Sequence, residues 1–241
     1  MGFKDFFSSA GRGKARLARN TKTVINGFAQ SADRYAAMEQ LLEDGSKEAH
    51  TAVLRRFTVT SSKTIEDEEE KGWVYRRTIA LEKGILPALK QFCATQSNLA
   101  WALRIVEDVA NETEEWAILD AILAAHPPGY ERDSQTKLQV LTHLQEIDDE
   151  KVVGIVSGYL DDEDETVRFH AVEALLDIGD EHCQRPLLDR FVHEKEDSLR
   201  LRNRVLDGMV DHGWSVKGRR EEIAKHIGKA HAIKKGRIVR R

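Results

Sequence analysis

Two cysteines and four prolines are all that this chain of 241 residues has of either. Cys93 and Cys183 lie 90 positions apart without a CxxC pair. That spacing argues against a zinc knuckle and against a disulfide framework, and leaves both thiols as small buried hydrophobes. Aromatic residues reach only 7%. No stretch approaches 18 consecutive apolar residues and no uninterrupted apolar segment stands near Met1, so a membrane span and an export signal are disfavoured and the cytoplasm is the expected address. Met1-Gly2 is not an acylation signal, because Phe6 occupies the position that needs Ser or Thr.

Catalytic fingerprints are equally scarce. There is no HExxH, no GxSxG and no dinucleotide-binding glycine pattern. Gly11-x-Gly13-Lys14 has the wrong spacing for a phosphate loop, and Ala15 follows where Ser or Thr is required. Among nine histidines the tightest grouping is His182, Cys183 and His193, but the two histidines are 11 positions apart with Pro186 between them, a poor route to convergent ligands. Asp161-Asp162-Glu163-Asp164-Glu165 matches a calcium loop only in charge, since Val167 sits where the sixth-position glycine belongs; a solvated helix N-terminus, favoured by the helix dipole, is the expected form. No catalytic, metal-binding or cofactor-binding residue is assigned, and no cofactor is expected.

What is present favours helix. The chain is 41% hydrophobic and 32% charged with mean hydropathy −0.49. Apolar positions recur at intervals of three and four over residues 28–58 and 98–212, which predicts an all-α fold. The modest net charge of −4 hides a segregation: residues 1–22 carry six basic groups against Asp5, and residues 215–241 carry ten against Glu221 and Glu222. Those ends hold about +5 and +8, so the stated total leaves about −17 between them.

One short string recurs. Ala52-Val53-Leu54-Arg55-Arg56-Phe57, Pro87-Ala88-Leu89-Lys90-Gln91-Phe92 and Pro186-Leu187-Leu188-Asp189-Arg190-Phe191 all carry Leu-x-x-Phe at helical spacing. The gaps between the phenylalanines are 35 and 99 residues, one and three periods of roughly 33, the signature of a helical repeat array. Asp149–Val192 shows the unit most clearly. Val152, Ile155, Val156, Tyr159 and Leu160 form one apolar stripe, and Asp162 with Glu165 suggests a capping pair for a second helix striped by Val167, Ala171, Leu175 and Ile178. Gly179 supplies the left-handed C-cap and Pro186 falls in the first turn of the next helix, as does Pro87. Gly45 and Phe57 are spaced in the same way as Gly179 and Phe191. A Trp73–Phe92 pair with its first helix ending at Gly84, a Leu99–Leu123 pair and a Leu138–Leu160 pair complete about five hairpins, none large enough to bury its own stripe without a neighbour.

Asp164-Glu165-Thr166-Val167-Arg168-Phe169-His170-Ala171-Val172-Glu173-Ala174-Leu175, closed by Ile178-Gly179, resembles a HEAT repeat of the bacterial HEAT-like kind, whose first helix reads Asp-x-x-Val-Arg-x-x-Ala-x-x-x-Leu. Glu196-x-x-Leu199-Arg200 is a partial second copy that fails at Asn203, and the hairpins before Asp133 keep only the turn glycines and the second-helix string. The resemblance implies an α-solenoid of the HEAT and armadillo type in which Asp164 and Arg168 knit adjacent repeats through charge-assisted hydrogen bonds. The repeat signature is thus Asp164, Val167, Arg168, Ala171, Leu175, Gly179, Pro186 and Phe191, structural rather than catalytic. It also implies a scaffold or adaptor that holds another protein in a concave groove; DNA-binding members and bilin lyases with such repeats supply the alternatives.

Three regions follow: a basic N-terminal arm over 1–27, a helical repeat array over 28–212 and a small basic cap over 213–241. In the arm, Phe3, Phe6, Phe7 and Leu17 interleave with Lys4, Arg12, Lys14, Arg16, Arg19 and Lys22, while the glycine-containing run from Ser8 to Gly13 is expected to interrupt any continuous helix. A frayed arm capping the first repeat is the expectation, with an anionic membrane or nucleic acid as the alternative contact. The tail predicts a helix over Arg219–Lys229 and a short hairpin turning at Lys235-Gly236. Its candidate polyanion contacts are Lys217, Arg219, Arg220, Lys234, Lys235, Arg237, Arg240 and Arg241, which could equally clasp the acidic body of the same chain. Trp73, Trp101, Trp116 and Trp214 are candidate anchors for a protein partner, whereas Arg55-Arg56, Arg76-Arg77 and Arg200-Leu201-Arg202 read as ordinary solvated charge.

Overall fold

The computed structural model of the chain describes residues 9–241, with side chains from residue 11 onward. Phe3, Lys4, Phe6 and Phe7 of the expected arm lie outside the described residues. The backbone divides into two compact units, residues 1–125 and 126–241. Both are built from helical hairpins, and the only strands among the described residues form one small C-terminal hairpin.

The first unit contains α1 (Ser9–Val24), α2 (Ser31–Asp44), α3 (Lys47–Leu54), α4 (Thr64–Ile79), α5 (Leu86–Cys93), α6 (Ala100–Val109) and α7 (Glu112–Ala125). The second helices α3 and α5 pack side by side, α4 packs on α6, and α1 lies across α2 and α3. Their buried faces carry Met38, Leu41, Val53, Phe57, Val74, Leu89, Phe92, Leu103 and Val106. Fully burying one such side chain stabilises the fold by about 1.5–3 kcal/mol. Ser46 caps α3 by accepting from Ala49 N at 3.2 Å, and Gly45 takes the left-handed C-cap of α2 with φ 70°.

Two expectations fail here. Gly11 and Gly13 do not break the helix; α1 runs through both. Each glycine costs about 1 kcal/mol relative to alanine, and tertiary packing offsets it: Val24 is fully buried and Asn20 donates to Gln40 Oε1 at 3.0 Å on α2. The first helix of the next hairpin ends at Ile79, not at Gly84, and the left-handed residue that follows is Glu82, with φ 49°.

The second unit contains α8 (Gln135–Leu144), α9 (Glu150–Gly158), α10 (Glu165–Ile178), α11 (Gln184–Val192), α12 (Leu199–Asp211), α13 (Arg220–His226) and the strands β1 (His231–Lys234) and β2 (Arg237–Arg240). α10 sits centrally, against α8, α9 and α12, and α11 packs on α12 and α13. At Gly208 α12 packs tightly on α10: a Cβ there would stand 2.2 Å from Leu176 Cδ2. The Asp162 cap is a further correction. Asp164 caps α10 by accepting from Thr166 N at 2.8 Å, because Asp162 is buried and its carboxylate is committed elsewhere. Nor is the acidic run 161–165 wholly solvated, since Asp162 is only 2% exposed.

The C-terminal helix is shorter than expected, ending at His226 with the backbone extended at Ile227. β1 and β2 pair antiparallel with Lys234 opposite Arg237, and the connecting residues Lys235 and Gly236 both have positive φ, 48° and 75°. That is the two-residue turn whose twist matches a hairpin. β2 packs on α12, while Trp214, Val216, Ile223 and Ile238 are buried in this module.

Candidate functional site

In each unit, pairs of buried arginines converge on one buried glutamate. Arg34 on α2 donates through Nε and Nη2 to Glu70 on α4, at 2.7 and 2.6 Å. Arg56, just after α3, donates Nε to the same carboxylate at 2.7 Å and Nη2 to Asp67 at 2.5 Å. Ser31 Oγ adds a bond of 2.6 Å, so Glu70 is surrounded by donors. Burial pushes the Glu70 carboxyl up, yet the bonds from Arg34, Ser31 and Arg56 outweigh it and hold the group below its ordinary 4.5.

The second unit repeats the pattern. Arg168 on α10 donates Nε and Nη2 to Glu196 at 3.0 and 3.2 Å, and Arg190 on α11 donates Nε to Glu196 at 2.6 Å. Glu196, which precedes α12, is likewise pushed up by burial and held below 4.5 by Arg168, the Ser198 backbone and Arg190. The remaining guanidinium edge of each first-helix arginine points to backbone: Arg34 Nη1 to the Ala29 carbonyl at 2.5 Å, Arg168 Nη1 to the Asp162 and Glu163 carbonyls at 3.1 Å.

A third tie uses lysine. Lys137 on α8, 2% exposed, donates to the Gly129 carbonyl at 2.7 Å and to Asp162 at 2.8 Å. In all three ties a cation on a hairpin's first helix binds the backbone before that helix and a carboxylate on, or just before, the first helix of the next hairpin. Asp164 extends this in the second unit by accepting from Ser134 Oγ at 2.7 Å.

Of the other signature positions, Val167, Ala171, Leu175 and Phe191 are fully buried, Gly179 takes φ 67° and Pro186 stands in the first turn of α11. Arg56 is not surface charge, being 1% exposed. Sequence reading passed over Arg34, Arg56, Glu70, Lys137, Arg190 and Glu196 as a set. A signal existed: Arg34, Ala37, Leu41, Gly45, Arg56 and Phe57 all precede Arg168, Ala171, Leu175, Gly179, Arg190 and Phe191, taken in order, by one constant offset. The first hairpin therefore keeps far more of the repeat than its turn glycine.

The outward side of the first helices carries rings and guanidinium groups. In the first unit Tyr35 meets Trp73 edge-on with centroids 5.3 Å apart, and Arg77 lies over Trp73 at 5.6 Å. Trp101 stacks on buried Phe57 at 5.5 Å, with Arg104 over Tyr75 at 4.8 Å and over Trp101 at 5.9 Å. In the second unit Arg200 lies over Phe169 at 3.7 Å, and Arg204 grips Glu173 through two bonds of 2.6 and 2.9 Å. Trp116 and Trp214 are buried. A cleft of about 720 Å³ between α4 and α6 includes Arg76, Lys83 and Asp108, but Lys83 pairs with Glu114 and Asp108 accepts from the Tyr75 phenol.

The basic tail divides by role. Arg219 pairs with Asp189 and Glu222, and Arg240 with Asp207 and Asp211, so these two fasten the cap to α11 and α12. His231 Nε2 approaches the same Asp207 at 3.0 Å. Lys217, Arg220, Lys234, Lys235, Arg237 and Arg241 are exposed.

Cys93 and Cys183 are buried and free, and burial raises their thiols to about 12 and about 11, which keeps both protonated and unreactive near neutrality. Among the described residues no three His, Cys, Asp or Glu side chains form a metal-binding group, and no helix is long and apolar enough to cross a membrane.

Residues 129–206 match the family model for HEAT repeats. That segment runs from the Gly129 carbonyl held by Lys137 to α12, and so encloses the Lys137 tie and the Glu196 hub; it is a run of HEAT repeats. No curated protein and no solved structure matches the chain. HEAT repeats generally mediate protein–protein interaction and are typically non-catalytic.

Proposed function

We propose that this HEAT-repeat chain is a non-catalytic scaffold or adaptor, holding a partner protein on its helical-repeat surface as in a groove. The observation that carries this reading is the division of labour among its arginines. Arg34, Arg56, Arg168 and Arg190 are buried and consumed by structure, whereas Arg77, Arg104 and Arg200 lie over half-exposed rings on the first helices. Trp, Tyr and Arg are the residues that dominate binding energy at protein interfaces. Stacked on one another they are already ordered, so docking a partner costs less side-chain entropy than ordering free side chains. Both thiols are inert, and the charged groups of the α4–α6 cleft include two that are already paired, which supports a non-enzymatic role.

The test compares Trp73→Ala/Arg104→Ala with the unmodified protein. Partners are captured at moderate salt, the strongest is purified, and its affinity is measured by titration calorimetry. A saturable complex weakened at least tenfold by the double substitution, with an unchanged circular dichroism spectrum, supports the reading. A complex indifferent to both residues, or turnover of any captured small molecule, rejects it.

A further inference from the structure

We infer that the tip of the C-terminal hairpin is a second contact surface, separate from the protein-binding face, and that Lys217, Lys234, Lys235 and Arg237 grip the phosphate backbone of duplex nucleic acid. The argument begins with what the tail does not need. Arg219 and Arg240 already fasten the cap through Asp189, Asp207 and Asp211. The four tip cations take part in no ion pair among the described residues, and each is exposed. Their charges therefore add no ion pair to those that hold the cap in place.

Their arrangement is unfavourable in the free protein. Lys234 and Arg237 are direct cross-strand partners, and like charges placed opposite one another destabilise a hairpin. Lys235 occupies a left-handed position, φ 48°, where asparagine, aspartate or glycine is preferred. Lys217 brings a fourth charge to the same turn: its side chain lies so close to Gly236 that a Cβ there would meet Lys217 Cγ at 2.7 Å. Val216 N donates to the Gly236 carbonyl at 2.8 Å, which fixes that segment against the turn. Four cations are thus gathered at the tip of a short ribbon, three on the ribbon itself and Lys217 on the segment packed against its turn, against their mutual repulsion, and a row of phosphates relieves that repulsion.

The shape selects among polyanions. The tip carries no aromatic ring on which unpaired bases could stack, as single-strand binders require. None of the large exposed apolar side chains of the described residues, Phe28, Ile65, Tyr130 and Leu199, belongs to the cap, so the tip presents no bulky apolar anchor to a membrane. A two-stranded ribbon fits the major groove of a duplex. The acidic stretch between the basic ends repels phosphate, so the body of the chain adds no contact and binding at the tip is strongly dependent on salt.

The experiment uses the full chain and a fluorescent 20-base-pair DNA duplex, followed by anisotropy at 50–200 mM salt. Four phosphate contacts give a log K against log salt slope steeper by about 3.6 than that of a protein lacking them. Replacing all four cations by serine removes that increment and at least tenfold in affinity at the lowest salt. A control that replaces the exposed Lys47, Lys63, Lys90 and Arg132 by serine, with the same change in net charge, leaves both intact. Lys235→Asn separates binding from folding: asparagine suits the turn, so the melting temperature holds or rises while affinity falls two- to fourfold. Equal binding by the tip variant and the control overturns the inference. So does an unchanged affinity for Lys235→Asn, a single strand bound as tightly as the duplex, or tip-dependent capture of vesicles containing phosphatidylserine without capture of DNA.

Discussion

The Glu70 hub and the Glu196 hub are built alike from hairpins in different units, yet they draw the acid from different places. The spacing of Arg34 and Arg56 along the chain is the same as that of Arg168 and Arg190. The acid does not keep step: Glu70 stands well beyond Phe57 and inside α4, while Glu196 follows soon after Phe191 and precedes α12. What the hairpin geometry demands is a carboxylate at one point in space, and the connecting segment can reach it by either route. The hubs also differ in isolation. Arg56 has a second buried acid, Asp67, whereas the second acid for Arg190 is Asp161, 75% exposed at its side chain. The first hub is sealed, and the second opens at one edge to water.

The comparison sharpens most under Glu70→Ala and Glu196→Ala. Removing one partner of a buried ion pair costs about 3–5 kcal/mol, because the orphaned charge stays buried. Glu70→Ala is expected at the upper end of that range, and Glu196→Ala lower, since Asp161 and water can take up part of the load; urea denaturation measures both. Equal losses would erase the distinction between sealed and open hubs. Next comes Gly208→Ala, which forces Leu176 aside and costs about 1–3 kcal/mol in the second unit by thermal melting.

The twin caps differ by less. Gly45→Ala and Gly179→Ala each place a side chain at positive φ, at a cost of about 1 kcal/mol. Gly179→Ala should cost more, because His212 Cε1 would stand 3.1 Å from the new Cβ while nothing lies within 4 Å at Gly45. The smallest test is pH. Glu70 and Glu196 are held below 4.5 in the folded chain, so their contribution is full above 4.5 and is lost as pH falls through the depressed folded values. A melting temperature that declines gently below about pH 6.5, because burial lowers the His50 imidazole and the unfolded chain takes up that proton first, and more steeply below 4.5 is expected, and in Glu196→Gln the steep fall should be shallower.

The helices and their pairing were legible because they rest on local signals. Leu-x-x-Phe spacing, Gly45, Gly179, Pro87 and Pro186 each constrain one turn of backbone, and the structure places each as expected. The glycines of α1 misled, because their cost was offset by packing on α2 that no local pattern announces. Asp162 misled for the same reason: its competitor for the cap, Lys137, lies 25 residues away. Buried arginines are the hardest case, since composition assigns such residues to solvent. Only the shared offset of Arg34 with Arg168 and of Arg56 with Arg190 marks them, and that alignment spans more than half the chain.

Repeat arrays can fray hairpin by hairpin, because each one touches only its neighbours. The ionic ties resist that mode within each unit. Peeling away the segment that carries Glu70 would strand Arg34 and Arg56 without a counter-ion in an apolar interior, a penalty beyond the lost packing. Each unit is therefore expected to open in concert rather than from one end, with hydrogen exchange at α2 and α4 reporting a single opening event.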